Sequence, residues 1–404
     1  MSTQAVAQTV DFDPFSRDFF DDPYHTYTMM REHAPCYYSE RYDFYALSRF
    51  DDVVQAHRDV ATFSSAHGLT YEALTSEEPQ TSPGAIITMD PPDHPHYRKL
   101  VSRSFTPRSI DKYEPLVRQI VNTYLDPLMG RRSMDLLEEF AGPFPVEIIS
   151  TILGVPPADR QKIRHWTDTM LHREEGSATG NQAATEAGIA QGMYLYELTQ
   201  QKRAQPADDM ISALTQAEME TATGERVGLN DAEIAGLCTL LAAAGSETVT
   251  KLMGNVIVLF HRYRDEWAKL LANPTAIGNA IEEALRFWAP SQYQGRYSMV
   301  DSTWHGVTIP KHKPVLLITG AANRDPRRYE NPDRFDINRE PGLTVGLGHG
   351  IHVCLGAALA RLEARVATEE IARRWPAYQV QESGLRRVQM SNVAGYSAVP
   401  VTVP

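Results

Sequence analysis

Residues 346–356 of this 404-residue chain read GLGHGIHVCLG, with four glycines, two histidines and one cysteine in eleven positions. The residues that follow place apolar side chains at helical spacing: Leu355, Leu359, Leu362 and Val366. Such spacing gives a helix one apolar face. We therefore predict a glycine-rich loop that leads into a buried helix, with Cys354 at the junction.

Three functional interpretations of this loop compete with the commoner outcome, a buried and inert cysteine. A dinucleotide fingerprint fails, because the third glycine comes one residue too early and no acidic residue follows about twenty positions on. A zinc site of His349, His352 and Cys354 is weakly supported, because structural zinc usually takes two spaced pairs of ligands. In the third interpretation, a helix N-terminus favours the Cys354 thiolate, and the glycines admit a flat metal-bearing ligand such as haem.

A long helix is predicted from Asn230 to about Tyr263. Asn230 as N-cap and Glu233 three residues later form a capping-box start, and a helix of this length spans about 48 Å. Its middle, residues 240–248, reads LLAAAGSET and is small and apolar up to Glu247 and Thr248. Small side chains leave room for a ligand against the helix, or equally for a closely packed second helix.

The remaining pattern predicts a mainly α protein with a small β region. Apolar residues recur at helical spacing through most of the chain, and alternating stretches occur near 36–47, 294–319 and 379–403. Two polar stretches, 64–84 and 172–188, are predicted to be long mobile connections. No internal repeat or interdomain linker is evident, so residues 1–404 are expected to form a single domain.

Composition narrows the class of protein and its compartment. With 42% hydrophobic and 22% charged residues the chain has the balance of a soluble globular protein, and its formal charge of −12 argues against nucleic acid as a partner. Cys36, Cys238 and Cys354 cannot all pair, which favours a reducing compartment. Residues 1–22 carry no apolar run of signal-peptide length, and no stretch reaches roughly 18 uninterrupted apolar residues. We expect a cytoplasmic protein with no membrane span.

The loop resembles the F-G-x-G-x-H-x-C-x-G haem loop of the cytochrome P-450 monooxygenases, although Leu347 stands where that family usually has an aromatic residue. Further segments resemble the family's motifs in the same order: 91–98 (PPDHPHYR), 244–248 (AGSET, like A-G-x-[DE]-T), 283–286 (EALR, like E-x-x-R), 321–326 (AANRDP) and 331–335 (NPDRF). Each is short and unspecific alone, but their common order is highly specific. The resemblance covers about Phe19 to the C-terminus.

The resemblance implies a cytochrome P-450 fold in which the long central helix crosses haem b, iron protoporphyrin IX. It implies these cofactor-binding residues: Cys354 as axial ligand of the haem iron, Gly348, Gly350 and Gly356 around it, and His94, Arg98, Arg296 and His352 at the propionates. Cys-thiolate ligation favours O–O cleavage. Glu247 and Thr248 would relay protons as the catalytic pair. Glu283, Arg286 and Arg334 would form a buried structural network.

Residues expected near the substrate, by resemblance, are Ile86, Ile87, Leu240, Ala243, Ala244, Gln292 and Gln294. Their mostly apolar character indicates a lipophilic small molecule. The basic residues Arg98, Lys99, Arg103 and Arg108 predict a dock for an acidic redox partner, with a solvated helix face as the alternative.

The implied function is a monooxygenase that inserts one oxygen atom of O2 into a lipophilic small molecule by hydroxylation, epoxidation or dealkylation. The sequence holds no cysteine cluster or nucleotide fingerprint, so electrons would come from NAD(P)H through a ferredoxin reductase and a ferredoxin. Two alternatives are an H2O2-driven peroxygenase and a non-catalytic haem-binding sensor or carrier. Glu247 and Thr248, as an acid–alcohol pair suited to O2 activation, argue against both.

Overall fold

The computed structural model describes residues 10–76, 82–220, 226–340 and 342–404, and it confirms a mainly α protein with small β-sheets. The helices are α1 (Arg17–Asp21), α2 (Tyr24–His33), α3 (Phe50–Arg58), α4 (Tyr71–Leu74), α5 (Asp93–Ser102), α6 (Pro107–Ile110), α7 (Glu114–Leu125), α8 (Pro143–Leu153), α9 (Arg160–Leu171), α10 (Gln182–Ala204), α11 (Met210–Thr215), α12 (Asp231–Arg262), α13 (Arg264–Ala272), α14 (Ile277–Phe287), α15 (Thr319–Ala322) and α16 (Ala357–Arg374).

The strands are short. They are β1 (Cys36–Ser39), β2 (Phe44–Leu47), β3 (Phe63–Ser64), β4 (Ser133–Asp135), β5 (Glu218–Glu220), β6 (Arg226–Gly228), β7 (Gln294–Ser298), β8 (Ser302–Trp304), β9 (Val307–Ile309), β10 (Pro314–Leu317), β11 (Gln379–Val380), β12 (Arg386–Arg387), β13 (Tyr396–Ala398) and β14 (Pro400–Thr402). All three predicted β regions contain strands. The strands β3 to β6 lie outside those regions, because two or three residues are too few to show an alternating pattern.

The largest sheet has the strand order β1-β2-β10-β7-β3. Its strand β10 runs parallel to β2, with Val315 opposite Tyr45, and antiparallel to β7, with Val315 opposite Arg296. This pairing fixes Arg296 on an interior strand of the sheet, opposite the buried Val315. A second sheet, β11-β14-β4, ties the C-terminal tail to the segment before α8.

The central helix, α12, has the predicted bounds. The side chain of Asn230 accepts a hydrogen bond from the Glu233 amide at 3.0 Å, and the Asn230 amide donates to the Glu233 carboxylate at 2.8 Å, so the capping box is present. In the described part of the chain, α12 is the one helix long and apolar enough to cross a membrane, and 56% of its apolar window is buried inside the protein. It is a core helix, packed against α8, α10 and α16.

The two predicted connections are partly helical. The first, 64–84, contains α4, and its residues 77–81 lie outside the described part. The second, 172–188, is wrong in its last seven residues, because α10 begins at Gln182 with Asn181 as a side-chain N-cap. Ala184 and Ala187 bury one face of the first two turns of α10, and the polar composition of this stretch gave no sign of that.

Candidate active site

The loop before Cys354 is held in shape by its own backbone. Gly348 and Gly350 have φ of 73° and 68°, the left-handed region that favours glycine. The Cys354 amide donates to the Leu347 carbonyl at 2.8 Å, and the Gly348 amide donates to the Val345 carbonyl at 2.9 Å. A short 3₁₀ turn, Gly350–His352, then leads to Cys354, and Gly356 is the N-cap of α16. The loop therefore places Cys354 at the entry of a buried helix, as predicted.

The protonation state of Cys354 differs from the expectation for a helix N-terminus. Burial raises the pKa of its thiol, while a hydrogen bond from the Gly356 amide and the charges of Arg98 and Arg361 lower it by less. The free side chain is therefore a thiol, and it becomes a thiolate when a metal cation displaces its proton. Burial raises the pKa of Cys36 and of Cys238 to about 12 each, and neither lies on a comparable loop.

The zinc interpretation of this loop is not supported. Among the residues that the structure describes, no group of three or more His, Cys, Asp or Glu side chains is placed to hold a metal ion. His349 instead accepts a hydrogen bond from the Arg58 guanidinium, with 2.8 Å between Nε2 and Nε. His352 packs on His94, with 4.4 Å between ring centroids.

Basic side chains from three elements converge beside the loop. His94 comes from α5, Arg296 from β7 and His352 from the loop itself, and His94 and Arg296 are each 2% exposed. Burial, followed by the positive charge of Arg296, lowers the pKa of His352 to about 3. Arg98 on α5 donates to the Val353 carbonyl at 2.6 Å and so joins α5 to the loop.

Several polar atoms in this group are buried and lack partners within the described protein. They are both ring nitrogens of His94, Nε2 of His352, Nε2 of His57 and Oε1 of Gln294. Buried polar groups are nearly always hydrogen-bonded in native proteins. Most of these atoms are imidazole nitrogens that can donate a hydrogen bond, and the Arg296 guanidinium lies beside them, so the site fits an anionic ligand. Two carboxylates on one flat ligand, as in the haem implied by the resemblance, would satisfy several of these atoms together.

One face of α12 is open in the middle of this otherwise buried helix. Leu240, Ala244 and Thr248, spaced by four residues, share that face; Leu240 and Thr248 are half-buried and Ala244 is exposed. The neighbouring Gly245 faces α8, where an added β-carbon would lie 3.2 Å from Ile149 Cγ1. The small residues therefore serve both expected purposes: Gly245 allows close helix packing, and Ala244 leaves open space on the adjoining face.

The acid–alcohol pair lies at the end of this open face. Thr248 Oγ1 donates to the Ala244 carbonyl at 2.7 Å, so the oxygen's lone pairs remain available to accept a hydrogen bond. Glu247 is buried and forms an ion pair with Lys251 one turn later, with 2.5 Å between Oε1 and Nζ.

A second carboxyl group approaches Glu247 from α9. Asp168 lies close enough to Glu247 for the two carboxyl groups to interact, and its Oδ2 lies 3.6 Å from Nε of Arg164. Partial burial between the helices, followed by the negative charge of Glu247, raises the pKa of Asp168 to about 7. The Asp168 side chain is 44% exposed, whereas that of Glu247 is 6% exposed. The pair therefore connects an accessible proton-binding group to a buried one beside Thr248.

The predicted ion-pair network is present with one correction. Arg286 donates to both carboxylate oxygens of Glu283, at 2.7 and 2.8 Å. The second guanidinium on Glu283 belongs to Arg339, at 3.2 Å, and not to Arg334. The Arg334 side chain is exposed, and this residue contributes its carbonyl, which accepts from Arg286 and Arg339. The chain turns after Phe335, and this turn carries Arg339 back onto Glu283.

The network reaches the cysteine loop through Asn323. Arg286 donates to the Asn323 carbonyl at 2.9 Å, and the Asn323 side chain accepts from the Val345 amide at 2.8 Å. The Val345 carbonyl in turn accepts a hydrogen bond from the Gly348 amide. The ion pairs thus fix the backbone that precedes Cys354.

The residues expected near the substrate do not form one group. The prediction that Gln292 anchors the substrate is wrong, because the residue is only 3% exposed and its amide is already bonded. Its Oε1 accepts a hydrogen bond from Tyr27 Oη at 3.0 Å, and its Nε2 donates to the Ala289 carbonyl at 2.6 Å. Gln294 donates to Ser291 Oγ at 2.7 Å, and its Oε1 faces the basic cluster. Ile86 and Ala243 are buried, and Ile87 is half-buried. Leu240 and Ala244 remain the open apolar positions.

Sequence reasoning missed His57, Asp168, Lys251 and Arg339. Lys251 stands one helical turn after Glu247, a spacing that predicts an ion pair. The sequence alone could therefore have identified this pair. The other three depend on contacts between distant segments, for which the sequence carries no local signal.

Comparison with known proteins agrees with this geometry. The family model described as Cytochrome P450 matches residues 182–377. A relative from Mycobacterium tuberculosis, described as putative cytochrome P450 123, is 38% identical over 392 residues, which cover 97% of this chain and 96% of the relative.

Two solved structures share the fold over nearly the whole chain. A mutant of P450 EryK in complex with erythromycin B has a TM-score of 0.85 and 34% identity, covering 93% of this chain and 95% of that one. P450BioI in complex with hexadec-9Z-enoic acid ligated acyl carrier protein has a TM-score of 0.85 and 30% identity, covering 96% and 99%. The chain therefore belongs to the cytochrome P450 family and is a monooxygenase whose cofactor is haem.

Proposed function

We propose that residues 1–404 form a single cytoplasmic monooxygenase domain that inserts one oxygen atom of O2 into a lipophilic small molecule. The reaction is hydroxylation, epoxidation or dealkylation, with electrons from NAD(P)H through a ferredoxin reductase and a ferredoxin. The observation that carries this proposal is the Asp168–Glu247–Thr248 arrangement, because a proton path beside an open apolar face suits O2 activation.

The chain's own residues would bind and orient the cofactor. When bound, haem supplies the iron centre at which O2 is reduced. Cys354 would ligate the iron on the fixed loop of Gly348, Gly350 and Gly356. The basic residues beside the loop would hold the propionates: His94, Arg98, Arg296 and His352. Arg296 is well suited to this role, because its guanidinium is buried and has no carboxylate partner among the described residues.

Thr248, Glu247 and Asp168 would hold and move the protons. Since Thr248 Oγ1 already donates to Ala244, its free lone pairs accept a hydrogen bond from a proton donor. Asp168, accessible and with its pKa raised to about 7, takes up a proton near neutral pH. Glu247 passes that proton inward, and Lys251 offsets the charge that Glu247 then carries.

The substrate is proposed to lie against Leu240 and Ala244 on α12. These side chains offer apolar contact and no hydrogen bond, which favours a lipophilic molecule. Two solved relatives hold erythromycin B and hexadec-9Z-enoic acid on its carrier protein. Both ligands support the lipophilic class for this chain without selecting one member of it.

A ferredoxin is proposed to dock on the basic segment that starts in α5. Arg103 and Arg108 are exposed and form no ion pair within the described residues. In contrast, Arg361 is paired with Glu282, and Arg365 is paired with Glu114 and Glu369. Unpaired guanidinium groups on a chain of net charge −12 form a local site for an acidic partner.

The alternative is a peroxygenase that uses H2O2, and three parallel assays separate it from the proposal. Substrates are first selected from a lipophilic library by the shift of the haem absorption on binding. Oxidation is then measured with NAD(P)H, reductase and ferredoxin, with H2O2, and with neither. We expect product in the first assay and little in the second. Product with H2O2 alone would establish the peroxygenase, and no product in any assay would indicate a sensor or carrier role.

A further inference from the structure

His57 lies at the end of α3, against the cysteine loop. A β-carbon on Gly350 would overlap the His57 carbonyl oxygen, so the two backbones are in direct contact. The next residue, Arg58, donates to His349 in the same loop. The last turn of α3 is thereby fixed beside the segment that carries Cys354.

The hydrogen bonds of His57 determine its tautomer. Nη2 of Arg296 lies 3.4 Å from Nδ1 of His57. A guanidinium only donates hydrogen bonds, so Nδ1 must be the acceptor, and a neutral imidazole then carries its proton on Nε2. Burial, together with the nearby positive charge of Arg296, lowers the pKa of His57 well below its usual value, which keeps the ring neutral.

The Nε2–H of His57 is a buried donor without an acceptor. The residue is 2% exposed, and Nε2 has no hydrogen-bond partner in the described protein. Oε1 of Gln294 lies near the ring and favours its protonated form, but neither Nε2 of His57 nor Oε1 of Gln294 has a partner at hydrogen-bond geometry. Leaving such a donor unpaired costs about 1–3 kcal/mol, which a bound acceptor would recover.

We propose that His57 donates its Nε2–H to a haem propionate and is a fifth anchor beside His94, Arg98, Arg296 and His352. The inference rests on the proposed propionate role of that group, since His57 is connected to it through Arg296. Because α3 contacts the cysteine loop, this hydrogen bond would join the propionate side of the cofactor to the loop that carries its axial ligand.

The test uses the holoprotein and two substitutions of His57. His57→Phe keeps the ring but removes both nitrogens, whereas His57→Gln keeps a donor near the position of Nε2. The first measurement is the rate of haem transfer from the oxidised protein to apomyoglobin. The second is the propionate bending modes in the resonance Raman spectrum, which a purely structural effect of His57 on α3 would not shift.

We expect His57→Phe to lose haem about tenfold faster and to shift a propionate mode, and His57→Gln to restore both in large part. His33→Phe, which replaces an exposed histidine on α2, is the matched control and should change neither the rate of haem loss nor the propionate mode.

Arg296→Met tests the underlying assignment of the propionate site. Unchanged modes in both His57 variants alongside a shift in Arg296→Met would overturn the role of His57 alone. Unchanged modes in all three would contradict the propionate site itself. If His57→Phe does not fold, His57→Leu, which also lacks a hydrogen-bond donor, takes its place in the same comparison.

Discussion

The hydroxyl of Thr248 has one proton, and the structure fixes where that proton points. It is donated to the Ala244 carbonyl one turn earlier, which leaves the oxygen free to accept. Hydroxyl groups in helices often make this bond without any catalytic role. What distinguishes Thr248 is its place on an open face next to Glu247, whose own contacts lead to Asp168.

Replacement of Thr248 tests whether the hydroxyl takes part in proton delivery. Thr248→Ala removes the acceptor but no contact that holds α12, since only a bond to its own helix is lost. We expect substrate binding to change little and oxygenated product per NAD(P)H to fall by about tenfold or more, with H2O2 released instead. Product and NAD(P)H consumption are measured together, and an equal ratio in both proteins would leave Thr248 as a simple helix residue.

The proposed role of Asp168 predicts a defined pH dependence of the reaction. The carboxyl group donates a proton only when protonated, and its pKa of about 7 means that this form disappears as the pH rises through neutrality. Product per NAD(P)H should therefore decline between about pH 6 and pH 8 in the native enzyme. Asp168→Asn should give a lower ratio with a flat profile over that range. Parallel profiles of the two proteins would show that Asp168 is outside the proton path.

Among the helices and loops, the features that could be predicted from the sequence are those set by residues close together in the chain. The capping box of α12 joins residues three positions apart, and the glycines of residues 346–356 set their own turn, so both were predictable. The second arginine on Glu283 was not, because it depends on how the chain turns after Phe335. Arg334 precedes that turn and Arg339 lies on it, and only the fold selects Arg339 as the partner of Glu283.

The two arginines provide a matched pair of variants. Arg339→Met removes a donor to buried Glu283 and donors to three carbonyl groups, and should lower the free energy of unfolding by about 2–4 kcal/mol. Arg334→Met removes an exposed side chain whose carbonyl remains, and should change it by less than about 0.5 kcal/mol. Urea denaturation of both holoproteins measures the difference. A larger loss in Arg334→Met would restore the original assignment.

For the molecule as a whole, the proposed entry of electrons and the proposed entry of protons lie on different elements. The unpaired arginines follow α5, which also carries His94 and Arg98, whereas Asp168 lies on α9 and contacts α12. The sequence predicted the basic segment because its four basic residues fall within residues 98–108 with no acidic residue between them. It could not predict the proton entry, because Asp168 and Glu247 are 79 positions apart and meet only through helix packing.

Charge reversal in the basic segment should affect electron supply alone. Arg103→Glu should slow ferredoxin-supported turnover roughly fivefold to tenfold at low ionic strength and spare any residual H2O2-supported turnover. The difference from the native enzyme should narrow as salt is added, because exposed charges are screened. Arg132→Glu, an equal charge change on another exposed loop, is the control. Equal losses of ferredoxin-supported turnover in both variants would mean that the ferredoxin binds elsewhere.

Ligation of the haem iron by the Cys354 thiolate is the assignment on which the proposed oxygenase activity depends. The most direct measurement is the absorption spectrum of the reduced, carbon-monoxide-bound protein, in which thiolate ligation has a characteristic band. We expect Cys354→Ser to abolish that band, while Cys36→Ser and Cys238→Ser, which replace buried cysteines away from the loop, retain it. Persistence of the band in Cys354→Ser would mean that another residue ligates the iron, and would contradict the account.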